Sequence, residues 1–145
     1  AEAAWLAVSN IPDAQRWPMP AEHGAREAAA VYADRLAGVG DFDLVLLGMG
    51  EDGHTASLFP GHDWGTQPDS PDVLAVHAAP KPPPERVSLS AARLSRSSNL
   101  WLVVTGAGKQ AALARWRQGE RLPVGTVRGK QETVAWLDAA AWRGA

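Results

Sequence analysis

Two short apolar runs, each followed by glycines, constrain the fold of this 145-residue chain more than any other feature. The run Leu44–Leu47 is followed by Gly48, and the run Leu100–Val104 is followed by Gly106 and Gly108. Near-continuous apolar runs of this length are typical of strands that are buried on both faces, as in a parallel sheet. We therefore expect both runs to be internal strands that lead into glycine-rich turns.

Helical segments and further short strands alternate with these two strands. An amphipathic helix is predicted over Ala21–Ala37, ended by Gly38 and Gly40, and a second helix is predicted from about Lys109 to Gln118. The other predicted elements are a helical remnant over Ala1–Val8, strands over Val73–His77, Arg86–Leu89 and Thr133–Leu137, and a helical turn over Ala91–Leu94. This order predicts one α/β domain: a mainly parallel, Rossmann-like sheet flanked by helices, with a small antiparallel addition.

The composition excludes several classes of protein. The chain has no cysteine, so it forms no disulfide and has no thiolate metal site or cysteine nucleophile. Its net charge is −2, with acidic and basic residues interspersed, which does not indicate a nucleic-acid footprint. The sequence shows neither a long apolar span nor a signal-peptide pattern. We expect a soluble, cytoplasmic protein that binds neither nucleic acid nor membrane, with Trp101, Trp116 and Trp136 packed in its core.

A glycine-rich segment directly after the first predicted strand is a candidate binding site. Gly48, Gly50 and Gly53 match the G-x-G-x-x-G spacing of a dinucleotide-binding turn. Pro60 and Gly61 would end the following helix within about two turns, which is too early for a dinucleotide site. The glycines instead allow backbone N–H groups to approach a ligand closely.

The same segment carries groups that are suited to proton transfer. Glu51 and Asp52 are carboxylates, and His54 is an imidazole, the side chain best suited to accept a proton near neutral pH. The alternative to a functional role is a tight turn. In that case Asp52 would only stabilise the backbone geometry and His54 would take no part in any chemistry. The position after a buried strand favours function, because ligands of such folds bind outside the carboxyl ends of the strands. His54 and His62 lack a metal-binding spacing, so no metal site is predicted.

Two cations are candidates for an anion site. Lys109 is predicted in the first turn of a helix, where a positive charge opposes the helix dipole unless an anion binds at the same N-terminus. Arg86 follows three prolines and begins a strand, and a guanidinium recognises phosphate with two parallel hydrogen bonds. A solvated lysine and an ordinary surface arginine are the alternatives.

Four segments of the chain resemble the 6-phosphogluconolactonase family in their order and spacing. They are Asp43–Gly61, Pro83–Leu89, Val103–Lys109 and Trp136–Asp138, and the first is the most specific. The resemblance implies hydrolysis of 6-phosphoglucono-δ-lactone to 6-phosphogluconate, the second step of the pentose phosphate pathway. It also implies the α/β fold of the sugar-phosphate isomerases and deaminases, a small-molecule sugar-phosphate lactone as the partner, and no cofactor.

The resemblance also assigns roles to the candidate residues. His54 would be the general base that activates water, and Asp52 would either lie beside the sugar or orient His54. Arg86 and Lys109 would hold the substrate phosphate. The three glycines of the turn would contact the substrate, and one backbone N–H of the turn would stabilise the oxyanion.

One departure from the family pattern concerns segments rather than single residues. The family carries a glycine/serine-rich phosphate loop and an acidic-arginine segment upstream of this region, and this sequence has neither. Residues 1–145 are therefore expected to be the C-terminal part of a single domain, whose sheet has an open edge and whose missing N-terminal segment acts as a partner. The alternatives are a glucosamine-6-phosphate deaminase-like isomerase and a non-catalytic sugar-phosphate-binding fragment. The absence of a carboxylate from Ala56–Pro60 favours the lactonase over the deaminase.

Overall fold

The computed structural model describes residues 6–143, which form five strands and four α-helices. The strands are β1 (Phe42–Gly48), β2 (Val73–Val76), β3 (Arg86–Leu89), β4 (Ser97–Val104) and β5 (Glu132–Leu137). The α-helices are α1 (Ala25–Leu36), α2 (Ala91–Ser95), α3 (Gln110–Arg117) and α4 (Ala139–Trp142). Short 3-10 helices cover Leu6–Val8, Asp13–Gln15, Ala21–His23, Ala107–Lys109 and Pro123–Thr126.

The strands form two sheets. Strands β1, β4 and β5 form a parallel sheet in the order β1-β4-β5, and β2 pairs with β3 in an antiparallel sheet. Trp101 of β4 lies between Leu46 of β1 and Val134 of β5 in the register. The predicted fold class, a mainly parallel sheet with a small antiparallel addition, is confirmed. Among the described strands β1 pairs with β4 alone, so it is an edge strand of the parallel sheet.

One face of the parallel sheet carries the main hydrophobic core. Val45 of β1 and Leu100, Leu102 and Val104 of β4 are buried on this face. They belong to one cluster with Leu94 of α2, Leu113 of α3 and the loop residues Leu122, Val124 and Val127. Trp116 packs against this core, partly buried, as predicted.

The opposite face of the parallel sheet is exposed in this chain. Leu44, Leu46, Val103 and Trp136 are 40%, 62%, 47% and 53% exposed, respectively. Side chains alternate between the faces of a strand, and the described helices pack on the core face or on the antiparallel sheet. The prediction of strands buried on both faces is therefore wrong here, and so is the prediction that Trp136 lies in the core. The ring of Trp136 contacts that of Trp101 edge-on, at 5.7 Å between centroids.

The first predicted helix is shorter than its periodicity indicates. The range Ala21–Ala37 contains a 3-10 helix at Ala21–His23 and then α1, which begins at Ala25. Gly24 separates them with a φ of 83°, in the left-handed region that interrupts a right-handed helix. The predicted remnant Ala1–Val8 includes a 3-10 helix at Leu6–Val8, and its first five residues lie outside the described range.

Candidate functional site

The carboxyl ends of β1 and β4 bring the two predicted site segments together. Gly48 ends β1 and leads into the His54 segment, while β4 ends at Val104 and leads into Lys109. Because the two strands are parallel neighbours, both segments emerge at the same edge of the sheet, as predicted. They border a cavity of about 390 Å³, whose lining residues are Gly48, Met49, Gly50, Glu51, His54, Ala56, Lys81 and Lys109.

Asp52 and His54 form a hydrogen-bonded pair in this segment. Asp52 Oδ1 lies 2.6 Å from His54 Nδ1 and also accepts the backbone N–H of His54 at 3.2 Å. A carboxylate only accepts hydrogen bonds, so the contact assigns a proton to Nδ1, and in the neutral imidazole the lone pair is then on Nε2. Of the two roles that the sequence left open for Asp52, this contact favours the one that orients His54.

The backbone around the pair is closed by its own hydrogen bonds. Gly50 N–H donates to His54 O at 2.8 Å, and Thr55 Oγ1 donates to Gly48 O at 2.8 Å. The ring of His54 also lies against the buried ring of Phe59, at 4.7 Å between centroids. The His54 side chain is 18% exposed, so it is held on several sides while remaining open to the cavity.

At two positions of the segment, a side chain larger than that of glycine would clash with a neighbouring residue. A Cβ on Gly50 would lie 2.0 Å from His54 Nδ1, far inside van der Waals contact. Gly53 has a φ of 87°, and a Cβ there would lie 2.7 Å from Leu122 Cδ1. The glycine pattern therefore allows the histidine to fold back over its own backbone, a packing role that the sequence analysis did not assign to it.

The electrostatics of the pair keep Asp52 ionised. Partial burial alone would raise the pKa of Asp52, but the hydrogen bonds from the side chain and backbone of His54 together outweigh it. The pKa of Asp52 consequently lies below its ordinary value, and the group is a carboxylate at neutral pH.

Lys109 lies at the end of the Ala107–Lys109 3-10 helix, immediately before α3. Lys109 is one of the residues that line the cavity, as the anion-site prediction requires. A Cβ on the neighbouring Gly108 would lie 2.8 Å from Glu51 Oε1, so the exposed Glu51 side chain would have to move. The N–H of Gly106 is bound by the Asp138 carboxylate, at 3.1 and 3.0 Å from its two oxygens, so that amide is already occupied.

Arg86 is placed differently from the other predicted site residues, since it is not among the residues that line the cavity. Its Nη2 donates to the carbonyl oxygens of Lys81 and Pro82 at 2.8 and 3.0 Å, and its Nε donates to that of Pro83 at 3.1 Å. The guanidinium carbon also lies 5.3 Å from the centroid of the Phe59 ring. Direct phosphate binding by Arg86 stays a prediction. In the structure, the hydrogen bonds of the guanidinium go to the carbonyl oxygens of its own loop.

Sequence reasoning missed two residues that the structure brings to the site. Lys81 lines the cavity, and Phe59 packs between His54 and Arg86. Lys81 lies in the proline-rich stretch that was interpreted only as a break between strands. The signal available was a single cation within that stretch, directly before three prolines and five positions before Arg86. Within residues 6–143, no group of three or more His, Cys, Asp or Glu side chains could hold a metal ion.

The fold and the site together define an α/β protein with a histidine–carboxylate pair and lysines at the carboxyl edge of a parallel sheet. The family model of the glucosamine-6-phosphate isomerases/6-phosphogluconolactonase matches residues 1–136. The chain therefore belongs to this family.

Individual relatives and structures agree with this family assignment. The chain is 39% identical over 147 residues to the 6-phosphogluconolactonase of Rattus norvegicus. This alignment covers 95% of this chain and 57% of the rat protein. It is 39% identical over 126 residues to that of Streptomyces coelicolor, covering 79% of this chain and 48% of the relative. The crystal structure of 6-phosphogluconolactonase from Thermotoga maritima superposes with a TM-score of 0.82 at 28% identity, covering 94% of this chain and 62% of the other.

The chain thus spans about half the length of these two curated relatives. None of the helices described in residues 6–143 is long and apolar enough to cross a membrane.

Proposed function

We propose that this chain carries the catalytic base of a 6-phosphogluconolactonase, which hydrolyses 6-phosphoglucono-δ-lactone to 6-phosphogluconate. The observation that carries the proposal is the Asp52–His54 pair, in which His54 lines a cavity together with Lys109. Relatives named 6-phosphogluconolactonase, which align with most of this chain, support the choice of substrate. The Ala56–Pro60 stretch has no carboxylate, which argues against proton transfer at sugar carbons by a deaminase-like isomerase.

In the proposed reaction, Asp52 holds Nδ1–H of His54 so that Nε2 faces a water molecule. Nε2 takes a proton from the water as its oxygen attacks the lactone carbonyl, which gives a tetrahedral oxyanion. The oxyanion then collapses, the bond from the carbonyl carbon to the ring oxygen breaks, and the ring oxygen leaves as a hydroxyl with the proton returned by His54. Water is the only co-reactant, so the reaction as written needs no cofactor.

The binding half of the proposal rests on charge. Lys109 lines the same cavity as His54 and, in the proposal, its ammonium binds the phosphate of the substrate. Anchoring the phosphate at one end fixes the distance of the lactone carbonyl from the base, and such positioning contributes much of the rate of an enzyme. In the proposal, the Gly48–Gly53 turn supplies the backbone N–H that stabilises the oxyanion.

A lactonase assay on His54→Ala tests this function. The formation of 6-phosphogluconate is followed by coupling to its oxidation, with the spontaneous hydrolysis rate subtracted. We expect kcat to fall at least 10²-fold while 6-phosphogluconate binding changes little. His23→Ala is the matched control, because His23 is 52% exposed and its near partner is Glu22, away from the cavity. Turnover that survives in His54→Ala would remove His54 as the base.

We also propose that the chain is the C-terminal part of one α/β domain, and that the rest of that domain covers its open sheet. The support is an edge strand, β1, together with exposed Leu44 and Leu46 on the uncovered face. A groove of about 420 Å³ beside β1 is lined by apolar residues of the same strand, including Val45 and Leu47. Exposed apolar area of this kind marks an interaction surface.

Complementation tests the second proposal. The chain is co-expressed with the part of the Streptomyces coelicolor relative that lies outside the matched region, and the complex is isolated by gel filtration. We expect a 1:1 complex with higher lactonase activity than the chain alone, and we expect Leu46→Glu to abolish it. A monomeric chain with full activity and no complex would contradict the proposal, and a homodimer sensitive to Leu46→Glu would assign the face to a second copy instead.

A further inference from the structure

A second cavity lies on the loop that follows α3 and shares no lining residue with the cavity beside His54. Its volume is about 350 Å³, within the range of small-molecule sites, and we call it the arginine cavity. The lining residues that the argument uses are Trp116, Glu120, Arg121, Leu122, Gly125 and Arg128. The proposed reaction uses none of them.

Hydrogen-bond donors without acceptors line the arginine cavity. Within residues 6–143, Arg121 has no recorded hydrogen bond or ion pair, and its guanidinium carbon lies 5.4 Å from the centroid of the Trp64 ring. Arg128 donates through Nη1 to the carbonyl oxygen of Val127, which leaves its Nε and Nη2 to solvent or to a ligand. The indole N–H of Trp116 has no acceptor in the described part of the chain either. Guanidinium and indole N–H groups only donate, so this lining favours a ligand that accepts hydrogen bonds.

The one carboxylate of the lining, that of Glu120, is already paired. Arg115 Nε donates to Glu120 Oε2 at 2.7 Å, and Arg115 Nη2 donates to Glu120 Oε1. The hydrogen bonds from Arg115 lower the pKa of Glu120, so the group is a carboxylate at neutral pH. Because both of its oxygens bind Arg115, Glu120 leaves the charges of Arg121 and Arg128 without a carboxylate partner.

The dipole of α3 explains only part of the positive charge around this cavity. Arg115 and Arg117 lie in the last turn of α3, where cations interact favourably with the end of the helix. Arg121 and Arg128 lie beyond Gly119, whose φ of 88° follows the end of the helix. The effect of the dipole falls off within the last turn, so it does not account for these two arginines. Unpaired cations around a cavity instead attract an anion.

The loop that lines the arginine cavity also supports the turn that carries Asp52 and His54. Leu122 is fully buried, and its Cδ1 lies 2.7 Å from the position that a Cβ on Gly53 would occupy. Val124 N–H donates to Gly53 O at 3.1 Å. A ligand that fixes Arg121 therefore acts on a loop whose next residues hold the Asp52–His54 turn in place.

We propose that the arginine cavity is an effector site for a small anion with at least two negative charges. Arg121 and Arg128 bind the anion, and the indole N–H of Trp116 donates a third contact. The bound anion fixes the loop, and Leu122 and Val124 transmit the change to the Asp52–His54 turn. Phosphorylated and polycarboxylic metabolites share this chemistry, and the two probes of the experiment distinguish them.

The indole N–H signal of Trp116 reports binding at this cavity. Pyrophosphate and citrate are titrated at constant ionic strength, and nitrogen-edited spectra follow the indole signals, among which Trp116→Phe identifies that of Trp116. We expect a saturable shift of this signal. Saturation by pyrophosphate alone assigns the site to phosphorylated ligands, by citrate alone to polycarboxylates, and by both to multivalent anions in general.

Two arginine variants and a control locate the binding. We expect Arg121→Gln and Arg128→Gln each to weaken binding about fivefold, the effect of losing one exposed charge-assisted contact. Arg26→Gln is the matched control, because Arg26 lies exposed on α1, which packs on the antiparallel sheet. A Trp116 signal that does not saturate at millimolar concentrations of either probe, or that saturates equally in both variants, would overturn the site.

The imidazole signal of His54 tests the effector role without turnover, so the result is independent of the lactonase assay. We expect this signal to shift with the same midpoint as that of Trp116, and Arg121→Gln should move both midpoints together. A His54 midpoint that Arg121→Gln leaves unchanged would show that the probe binds beside Lys109 instead. That result, or a His54 signal that stays constant while Trp116 saturates, would refute the effector role.

Discussion

The substitution Gly50→Ala tests the packing of His54, the proposed base, most directly. The added Cβ would lie 2.0 Å from His54 Nδ1, 2.1 Å from His54 Cε1 and 2.8 Å from Asp52 Oδ1. Ordinary contacts begin near 3.4 Å, so the imidazole must move by about 1.4 Å to make room. A shift of that size breaks the 2.6 Å hydrogen bond between His54 and Asp52. It also moves Nε2 away from the position in which, in the proposed mechanism, it takes a proton from water.

We expect Gly50→Ala to lower kcat for the lactone about 10²-fold, the usual cost of misplacing a catalytic group by about 1 Å. Stability should change much less, because His54 borders an open cavity into which its ring can move. Gly38→Ala is the control, because a Cβ on Gly38 meets no atom within 4 Å and its φ is ordinary.

Two measurements check this expectation. Lactonase assays give kcat and KM for the chain and both glycine variants, and nitrogen-edited spectra of the imidazoles report the hydrogen-bonded Nδ1–H of His54 without turnover. In Gly50→Ala we expect that Nδ1 signal to shift towards a solvent-exposed value, and in Gly38→Ala we expect it to stay. Native kcat together with a native Nδ1 signal in Gly50→Ala would refute the reasoning.

Three further predictions concern charge. Asp52→Asn should lower kcat about 10²-fold in the lactonase assay with little change in KM, because the amide no longer stabilises the charged imidazolium. The folded-state pKa of Asp52 is lowered, so its stabilising contribution is present above its unfolded pKa and is lost as the pH falls through the folded pKa. The gap in melting temperature between the native chain and Asp52→Asn should therefore close below about pH 4, as measured by calorimetry. Arg93→Ala should cost about 3 kcal/mol in urea unfolding, because the fully buried guanidinium binds Gly40 O and pairs with Asp72.

The parts of the fold that follow from local pattern were predictable from the sequence. The runs Leu44–Leu47 and Leu100–Val104 lie in neighbouring parallel strands. A short apolar run between polar or glycine residues is typical of a buried strand, so the pattern predicts this structure. The position of the His54 and Lys109 segments then followed from topology, since parallel neighbours end at one edge. The contact between Asp52 and His54 could also be predicted, because the two residues lie two positions apart in one turn.

The parts that depend on distant contacts were not predictable in this way. Nothing in the neighbourhood of Arg86 shows that its guanidinium binds three carbonyls of the preceding loop rather than a ligand. Arg93 lies in a short helix where a charge would be expected on the surface, yet Phe42 and the carbonyl of Gly40 enclose it. The exposure of Leu44 and Leu46 depends on which segments cover the sheet, and the pattern of a strand reports only that it is apolar on both faces.

This division between local and distant contacts also separates the two halves of the site. The proposed base lies in one short segment, whose hydrogen bonds run between Gly48 and Thr55, between Gly50 and His54, and between Asp52 and His54. The cavity proposed to bind the phosphate instead brings together Lys109 after β4 and Lys81 from the loop before β3, so its lining forms only when the two sheets are packed correctly. A loosened fold should therefore lose phosphate affinity before it loses the geometry of the Asp52–His54 pair. In mild urea, KM should rise before the imidazole signal of His54 changes, because the base is held by contacts within eight residues and the anion site by contacts across the fold.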